Sequence, residues 1–292
     1  MNEVLVQTIL IYALLAISVQ VALRAGVFSL AGVGCWGIAA YTVGILTTRD
    51  VPVAVAILAA LVASAIICWL LALLLVRLRG LYLTMATVAF NLVVGVLATN
   101  GGDLTGGAQG LFGIPIAVGT VHIAIALGIV ALLATGLESR ALGRSLDVLR
   151  EDEDLAQALA IDTRRLRRHA FIVSGVVGGL AGALNALTFG LVTPNDVGFG
   201  LVVTGLTMVV IGGYHSWLGA VIGAALIQWL PIGLQEIAKS WTLIYGGLLI
   251  FVAVYAPSGL LGVVQGVARH VRRMLARGAP AALHEPQIGK SS

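Results

Sequence analysis

Nine apolar runs divide the chain, at about 4–23, 25–47, 52–76, 81–98, 116–137, 170–190, 199–213, 217–234 and 242–256. An α-helix needs about 20 predominantly apolar residues to cross the hydrocarbon of a bilayer. The runs contain no Asp, Glu or Lys. Charged residues are 10% of the sequence, against about 25% in a soluble domain, so the chain reads as an integral membrane protein. The expected fold class is an all-α polytopic membrane protein with about eight to ten transmembrane helices. Runs 25–47 and 199–213 are interrupted by Gly, Ser and Trp. Such segments are expected to be discontinuous or re-entrant, which lipid tolerates only where the backbone is buried or lines a cavity. The first run lacks a preceding basic region and is too long for a signal-peptide core, so a retained helix is expected.

Charge is concentrated between the runs. Residues 138–169 hold 7 of the 17 Lys and Arg and 7 of the 13 Asp and Glu. If this loop is cytoplasmic, alternation of nine spans also places Arg24, Arg77, Arg79, Arg269, Arg272, Arg273, Arg277 and Lys290 inside, and only Arg49 and Lys239 outside. That asymmetry follows the positive-inside rule. It predicts an N-terminus outside and a C-terminus inside, and it accounts for the net charge of +4 without nucleic acid as a partner. The expected division is a transmembrane domain over 1–266, with the loop 138–169 inside it, and a basic cytoplasmic tail over 267–292 near anionic lipid.

Proton- and ion-driven carriers place Asp, Glu or His in the membrane, and these runs do not offer such a relay. No GxxxxGK[ST] or HExxH pattern occurs either. Any energy source is therefore expected on another chain, and this chain is not expected to be an enzyme or to hold a cofactor or metal. Cys35 and Cys68 lie inside apolar runs and are expected to serve as small core residues. Gly175/Gly179, Gly178/Gly182 and Gly219/Gly223 are small-xxx-small pairs suited to close helix packing. The neutral polar residues Gln20, Asn91, Asn185, Thr188, Thr204, Thr207 and Gln228 remain at mid-membrane positions. They suit interhelical hydrogen bonds or a path of weak polar contacts for a small solute. The candidates for such a path are Asn91, Asn185 and Thr204, with Phe90 as a gate.

Within the loop, Leu142, Leu146 and Leu149 recur at helical spacing. The acidic run Glu151, Asp152, Glu153 and Asp154 then suits the start of a second, short helix, whose apolar face is Leu155, Ala158 and Leu159. Asp162 and Thr163 read as a turn and cap before the basic segment 164–168. A helix this short is not stable alone in water and is expected to dock against a partner.

Four stretches carry a family resemblance: FSLAGVGCWGIAAYTVGIL (28–46), RGLYLTMATVAF (79–90), LTGGAQGLFGIP (104–115) and the segment from GRSLDVLREDEDLAQALAID to GLVTP (143–194). GGYHSWLGAVIGAAL (212–226) adds a weaker match. The sequence resembles the LivM/LivH-like permease subunits of branched-chain amino acid ABC importers, and is nearer the LivM type. The third and fourth stretches are the specific ones.

The resemblance implies a multi-pass permease of the bacterial inner membrane that forms half of a pore. A second related permease would supply the other half, and two cytoplasmic ATPase subunits would bind ATP and Mg. A periplasmic solute-binding protein would dock outside, on loops including 99–115 and 191–198. The ATPase-coupling residues implied are Glu151, Asp152, Glu153, Asp154, Leu155, Ala156, Leu159, Ala160, Ile161 and Asp162. The solute implied is a branched-chain or other hydrophobic amino acid, or a related small polar solute such as urea. Where the family has Gly just before Ile161, this chain has Ala160. Ala is strained at positive φ, so the turn is expected to shift to Asp162–Thr163. Gln109 replaces an acidic residue of the LTGG loop, and His215 stands in a Gly-rich turn. Two other readings are a stand-alone secondary transporter or channel, which needs an ion-coupling site not found in the sequence, and a membrane assembly protein, which leaves the LTGG loop and the coupling-like segment unexplained.

Overall fold

The computed structural model describes residues 3–75, 78, 80–139, 141–214, 216–235 and 247. The chain forms α1 (Glu3–Arg24), α2 (Ala31–Thr47), α3 (Val53–Leu75), α4 (Gly80–Asn100), β1 (Leu111–Phe112), α5 (Thr120–Ser139), α6 (Ala141–Glu151), α7 (Glu153–Ala158), α8 (Thr163–Phe189), β2 (Leu191–Val192), α9 (Phe199–Gly212) and α10 (Trp217–Gln235). Short 3-10 turns occupy Gly102–Leu104, Gly107–Gln109 and Pro194–Val197. Eight of the nine apolar runs become helices. The ninth, 242–256 apart from Gly247, and the tail 267–292 lie outside the described residues, as do Arg77, Arg79, Arg140, His215 and Lys239.

The all-α polytopic class holds, with fewer full-length spans than the apolar runs suggest. Among the described residues α1, α3, α4 and α8 are long and apolar enough to cross a membrane, and α9 with α10, bent by 119°, has the form of a broken span or a re-entrant loop. Helices α2 and α5 are shorter. The run 25–47 loses its first turn because Gly26 adopts φ +67 and helix begins only at Ala31. The run 199–213 stops at Gly212, with Gly213 at φ +105. Glycine reaches these angles without the Cβ clash that other residues suffer.

Helix α8 lies against α1, α2 and α3, and it does so through glycine. A Cβ on Gly178 would meet the Gly32 carbonyl, and one on Gly182 would meet the Trp36 carbonyl. Gly175 faces Cys68 and Gly179 faces Ser64 in the same way. Helix α3 shows the complementary construction. Its buried stripe, Ala56, Ala60, Ser64, Cys68, Ala72 and Leu75, is mostly small, whereas Leu58, Val62, Ile66 and Trp69 on other faces are exposed. Lipid is as apolar as leucine, so helices in it associate by close backbone approach and not by hiding large side chains. The expected packing role of Gly219 and Gly223 also holds: Gly223 seats on the Met208 carbonyl, and Gly219 lies against Gly212 and Gly213. Both cysteines are free and buried, as core residues, and the fold brings their sulfurs to 3.1 Å.

Candidate functional site

The loop between α5 and α8 is built from two helices broken at a single residue. In α6, Leu149 is buried and Leu146 packs on a small core with Val27 and Phe171. Asp152 leaves helical geometry (φ −151, ψ 115), and its carboxylate accepts from the backbone N–H of Asp154 at 2.8 Å and Leu155 at 3.1 Å. These bonds satisfy two of the orphan donors at the start of α7. The Asp152 N–H still donates to the Val148 carbonyl at 3.0 Å, so the break stays tied to α6.

The other end of α7 closes in a Schellman motif. The Ala160 N–H donates to the Gln157 carbonyl and the Ile161 N–H to the Ala156 carbonyl, both at 3.0 Å. This motif needs a left-handed residue after the helix, and Ala160 takes it at φ +57. The expected shift of the turn to Asp162–Thr163 is therefore corrected. Two backbone bonds hold Ala160 in the left-handed region against a cost of about 1–2 kcal/mol. Asp162 instead caps α8, accepting from the Arg165 N–H at 3.0 Å and pairing with the Arg165 guanidinium at 2.9 Å.

Capped at both ends, the six-residue α7 buries Ala156 fully and leaves Leu155 50% and Leu159 60% exposed. Asp154, Gln157 and Ala158 are exposed beside them. The two leucines sit at i and i+4, on one face. This is an apolar pair on a charged loop that no described element covers.

Besides the Leu146 packing, three contacts among the described residues fasten the loop to the bundle. Asp147 of α6 pairs with Arg24 at the end of α1 at 3.5 Å. A Cβ on Gly26 would lie 3.2 Å from the Arg150 Cα, so backbone meets backbone there. The Arg150 guanidinium lies over the Tyr214 ring, 4.6 Å from its centroid. Tyr214 stands at the bend between α9 and α10, and its carbonyl accepts from the Gln20 Nε2 at 3.3 Å. Arg24, Arg144, Arg150 and the basic segment 164–168 thus collect at one end of the bundle. Neither Tyr214 nor its pairing with Arg150 was legible in the sequence, because 64 positions separate them.

The candidate path residues stand on three helices: Phe90 and Asn91 on α4, where both lie against Gly34 of α2, Asn185 on α8 and Thr204 on α9. Asn91 is fully buried, and its Nδ2 donates to the Leu30 carbonyl at 3.0 Å and the Thr87 carbonyl at 2.8 Å. The Thr87 hydroxyl accepts from the Leu30 N–H at 3.2 Å. Thr87 and Asn91 together grip the start of α2, where the Ser29 hydroxyl also accepts from the Ala31 N–H at 3.2 Å. Phe90 is half-buried and fills the space that a Cβ on Gly34 would take. Asn185 is half-buried on α8. Thr204, Thr207 and Thr188 bond within their own helices, to the carbonyls of Gly200, Val203 and Leu184. Interhelical bonding thus holds for Gln20 and Asn91 but not for these threonines, whose hydroxyls reach the carbonyl four residues back without leaving the helix. Sequence reading missed Ser18, whose buried hydroxyl donates to the Ser174 carbonyl at 2.7 Å, joining α1 to α8.

At the opposite end, β1 and β2 pair antiparallel, Leu111 with Val192 and Phe112 with Leu191. This ladder brings the LTGG stretch and the 191–198 loop together. Thr193 and Asp196 form a capping box there, and Val197 presses onto Gly37 of α2.

The sequence profile of a family described as "branched-chain amino acid transport system / permease component" matches residues 3–253. The chain is similar to the high-affinity branched-chain amino acid transport system permease protein LivM of Escherichia coli (strain K12), at 29% identity over 219 residues, covering 63% of this chain and 52% of LivM. It is similar to the corresponding permease protein BraD of Pseudomonas aeruginosa at 26% over 164 residues, covering 55% of this chain and 53% of BraD. The autoinducer 2 import system permease protein LsrC of Escherichia coli is 35% identical over 121 residues, covering 41% of this chain and 34% of LsrC. The chain spans about half the length of LivM over the matched region. No solved structure matches.

Proposed function

The chain belongs to the branched-chain amino acid permease family, and from that premise we propose that it is a membrane-spanning subunit of an ATP-driven importer. Its solute would be a branched-chain or other hydrophobic amino acid, or a related small polar solute. The observation that carries this reading is α7, a short helix capped at both ends that projects Leu155 and Leu159 from a charged loop.

In this reading the loop end faces the cytoplasm and α7 seats in a groove of an ATPase subunit, one of a pair that bind ATP and Mg. Leu155 and Leu159 supply the apolar contact, and Asp152 and Asp154 supply charge at its edge. A second related permease completes the pore. A solute-binding protein docks at the opposite end, on the paired segments 99–115 and 191–198. Closure of the ATPases on ATP would move α7, whose caps make it a rigid lever joined to α6 and α8.

The test is the double variant Leu155→Asp with Leu159→Asp. Both side chains point away from the bundle, so the folded permease should form with unchanged thermal stability. The ATPase subunits should no longer copurify, and solute-stimulated ATP hydrolysis should disappear. Wild-type hydrolysis by this variant would remove the docking role. Reconstituted uptake with a panel of branched-chain amino acids, urea, small amides and autoinducer 2 then identifies the solute.

A further inference from the structure

We infer that Arg150 and Tyr214 are positioning residues that carry the movement of α7 to the bent α9–α10 pair. The inference rests on the reading that α7 docks on an ATPase, and it adds the route by which that docking reaches the membrane.

Arg150 stands two residues before Asp152, the cap of α7, and the Asp152–Val148 bond fixes the two helices across their break. A displacement of α7 therefore turns the end of α6 about its contact with Gly26 and swings the Arg150 guanidinium. Its guanidinium faces the Tyr214 ring at 4.6 Å, close enough for the ring quadrupole to attract the cation. Tyr214 follows Gly213, at φ +105, in the bend. A push at Tyr214 thus acts where the backbone changes direction.

The two bent helices are built to respond together. Gly212 seats on the Gly219 carbonyl and Gly223 on the Met208 carbonyl, so α9 and α10 meet backbone to backbone. Beside Tyr214 lies a cavity of about 360 Å³, walled by Leu23, Gly26, Phe28, Leu206, Val209 and Val210. It opens to the surface at the exposed Phe28 and Val210, so the bend can shift into it without repacking a closed interior, which does not yield continuously. The other fastenings suit a pivot. Gly26 holds the Arg150 backbone from the α1–α2 turn, and the Asp147–Arg24 pair ties α6 to α1, which is packed on α8 and α10.

The experiment uses the complete reconstituted transporter with leucine as the solute, or the panel member it is found to carry. Variants are Arg150→Gln, Tyr214→Leu, the two combined, and Tyr214→Phe. Each single loss should lower the maximal uptake rate about tenfold, within the usual range of coupling between sites. The ATPases should remain bound and KM should stay within about twofold, since neither the docking face nor the solute site is altered. The combined variant should be no slower than the worse single one, because one interaction is removed twice. Tyr214→Phe keeps the ring and should restore uptake. Val210→Trp, at the rim of the cavity, should slow uptake with the ATPases bound. Additive losses of about a hundredfold in the combined variant would overturn the inference. So would wild-type uptake in either single variant or in Val210→Trp, damage by Tyr214→Phe equal to that of Tyr214→Leu, or loss of the ATPases from Arg150→Gln. Failure of the docking reading shows separately, as ATPases retained by the Leu155→Asp, Leu159→Asp variant.

Discussion

In α8 the residues facing neighbouring helices include Gly175, Gly178, Gly179 and Gly182, each meeting an atom of α2 or α3 where a Cβ would stand. In α7, which precedes it in the chain, Ala156 faces inward while Leu155 and Leu159 face out. The short helix thus buries an alanine and exposes two leucines, while the long one sets four glycines against its neighbours beside buried Phe171, Leu184 and Leu187. The two helices obey different solvents. Lipid supplies no hydrophobic force between α8 and its partners, so contact depends on how closely backbones approach. Helix α7 stands on a charged loop, where water competes for its backbone groups, and its order depends on the caps at its ends.

Substitutions along these two helices test that contrast. The largest effect is expected from Gly182→Val. The added carbons would meet the Trp36 carbonyl and its Cα, and overpacking at backbone should cost about 3 kcal/mol or more. Thermal unfolding in detergent should show a sharp fall, and an unchanged melting temperature would mean that α8 and α2 do not pack this closely. Asp152→Ala should cost about 1 kcal/mol, a typical loss for an N-cap. The loss should appear as faster hydrogen exchange at the α7 amides with α8 unaffected, and uniform protection would show that the cap does not order α7. The smallest change has the opposite sign. Ala160→Gly should stabilise the end of α7 by about 0.5–1 kcal/mol, because glycine takes φ +57 without Cβ strain. Slower exchange at Ile161 would confirm it, and faster exchange would place the strain elsewhere.

Ala160 also marks where sequence reading stops. Intrinsic preference assigns Ala a penalty in the left-handed region, so the residue type alone points away from φ +57 there. Hydrogen bonds from Ala160 and Ile161 back into α7 outweigh that preference. The threonines show a related limit. Thr204 and Thr207 are polar positions in an apolar run, and sequence cannot tell whether such a hydroxyl crosses to another helix or turns back on its own. Asn91 was legible as a polar residue at depth, but its grip on Leu30 depends on α4 lying beside the start of α2. The helix boundaries within 151–163 were the most legible part, since acidic residues before an apolar turn and Asp162 before a basic helix are local signals.

The sequence by itself determined that this chain is helical and membrane-embedded, which residues are charged between spans, and where α7 begins. These follow from run length, local charge and capping chemistry, all read within a few residues. Only the tertiary structure decided that Gly26 admits the Arg150 backbone, that Cys35 meets Cys68, that Thr87 and Asn91 together hold α2, and that Arg150 reaches Tyr214. Each of these joins residues far apart in the chain. In an apolar medium nearly every helix face looks alike in sequence, so the choice of neighbours rests on shape, on where glycine lets two backbones touch.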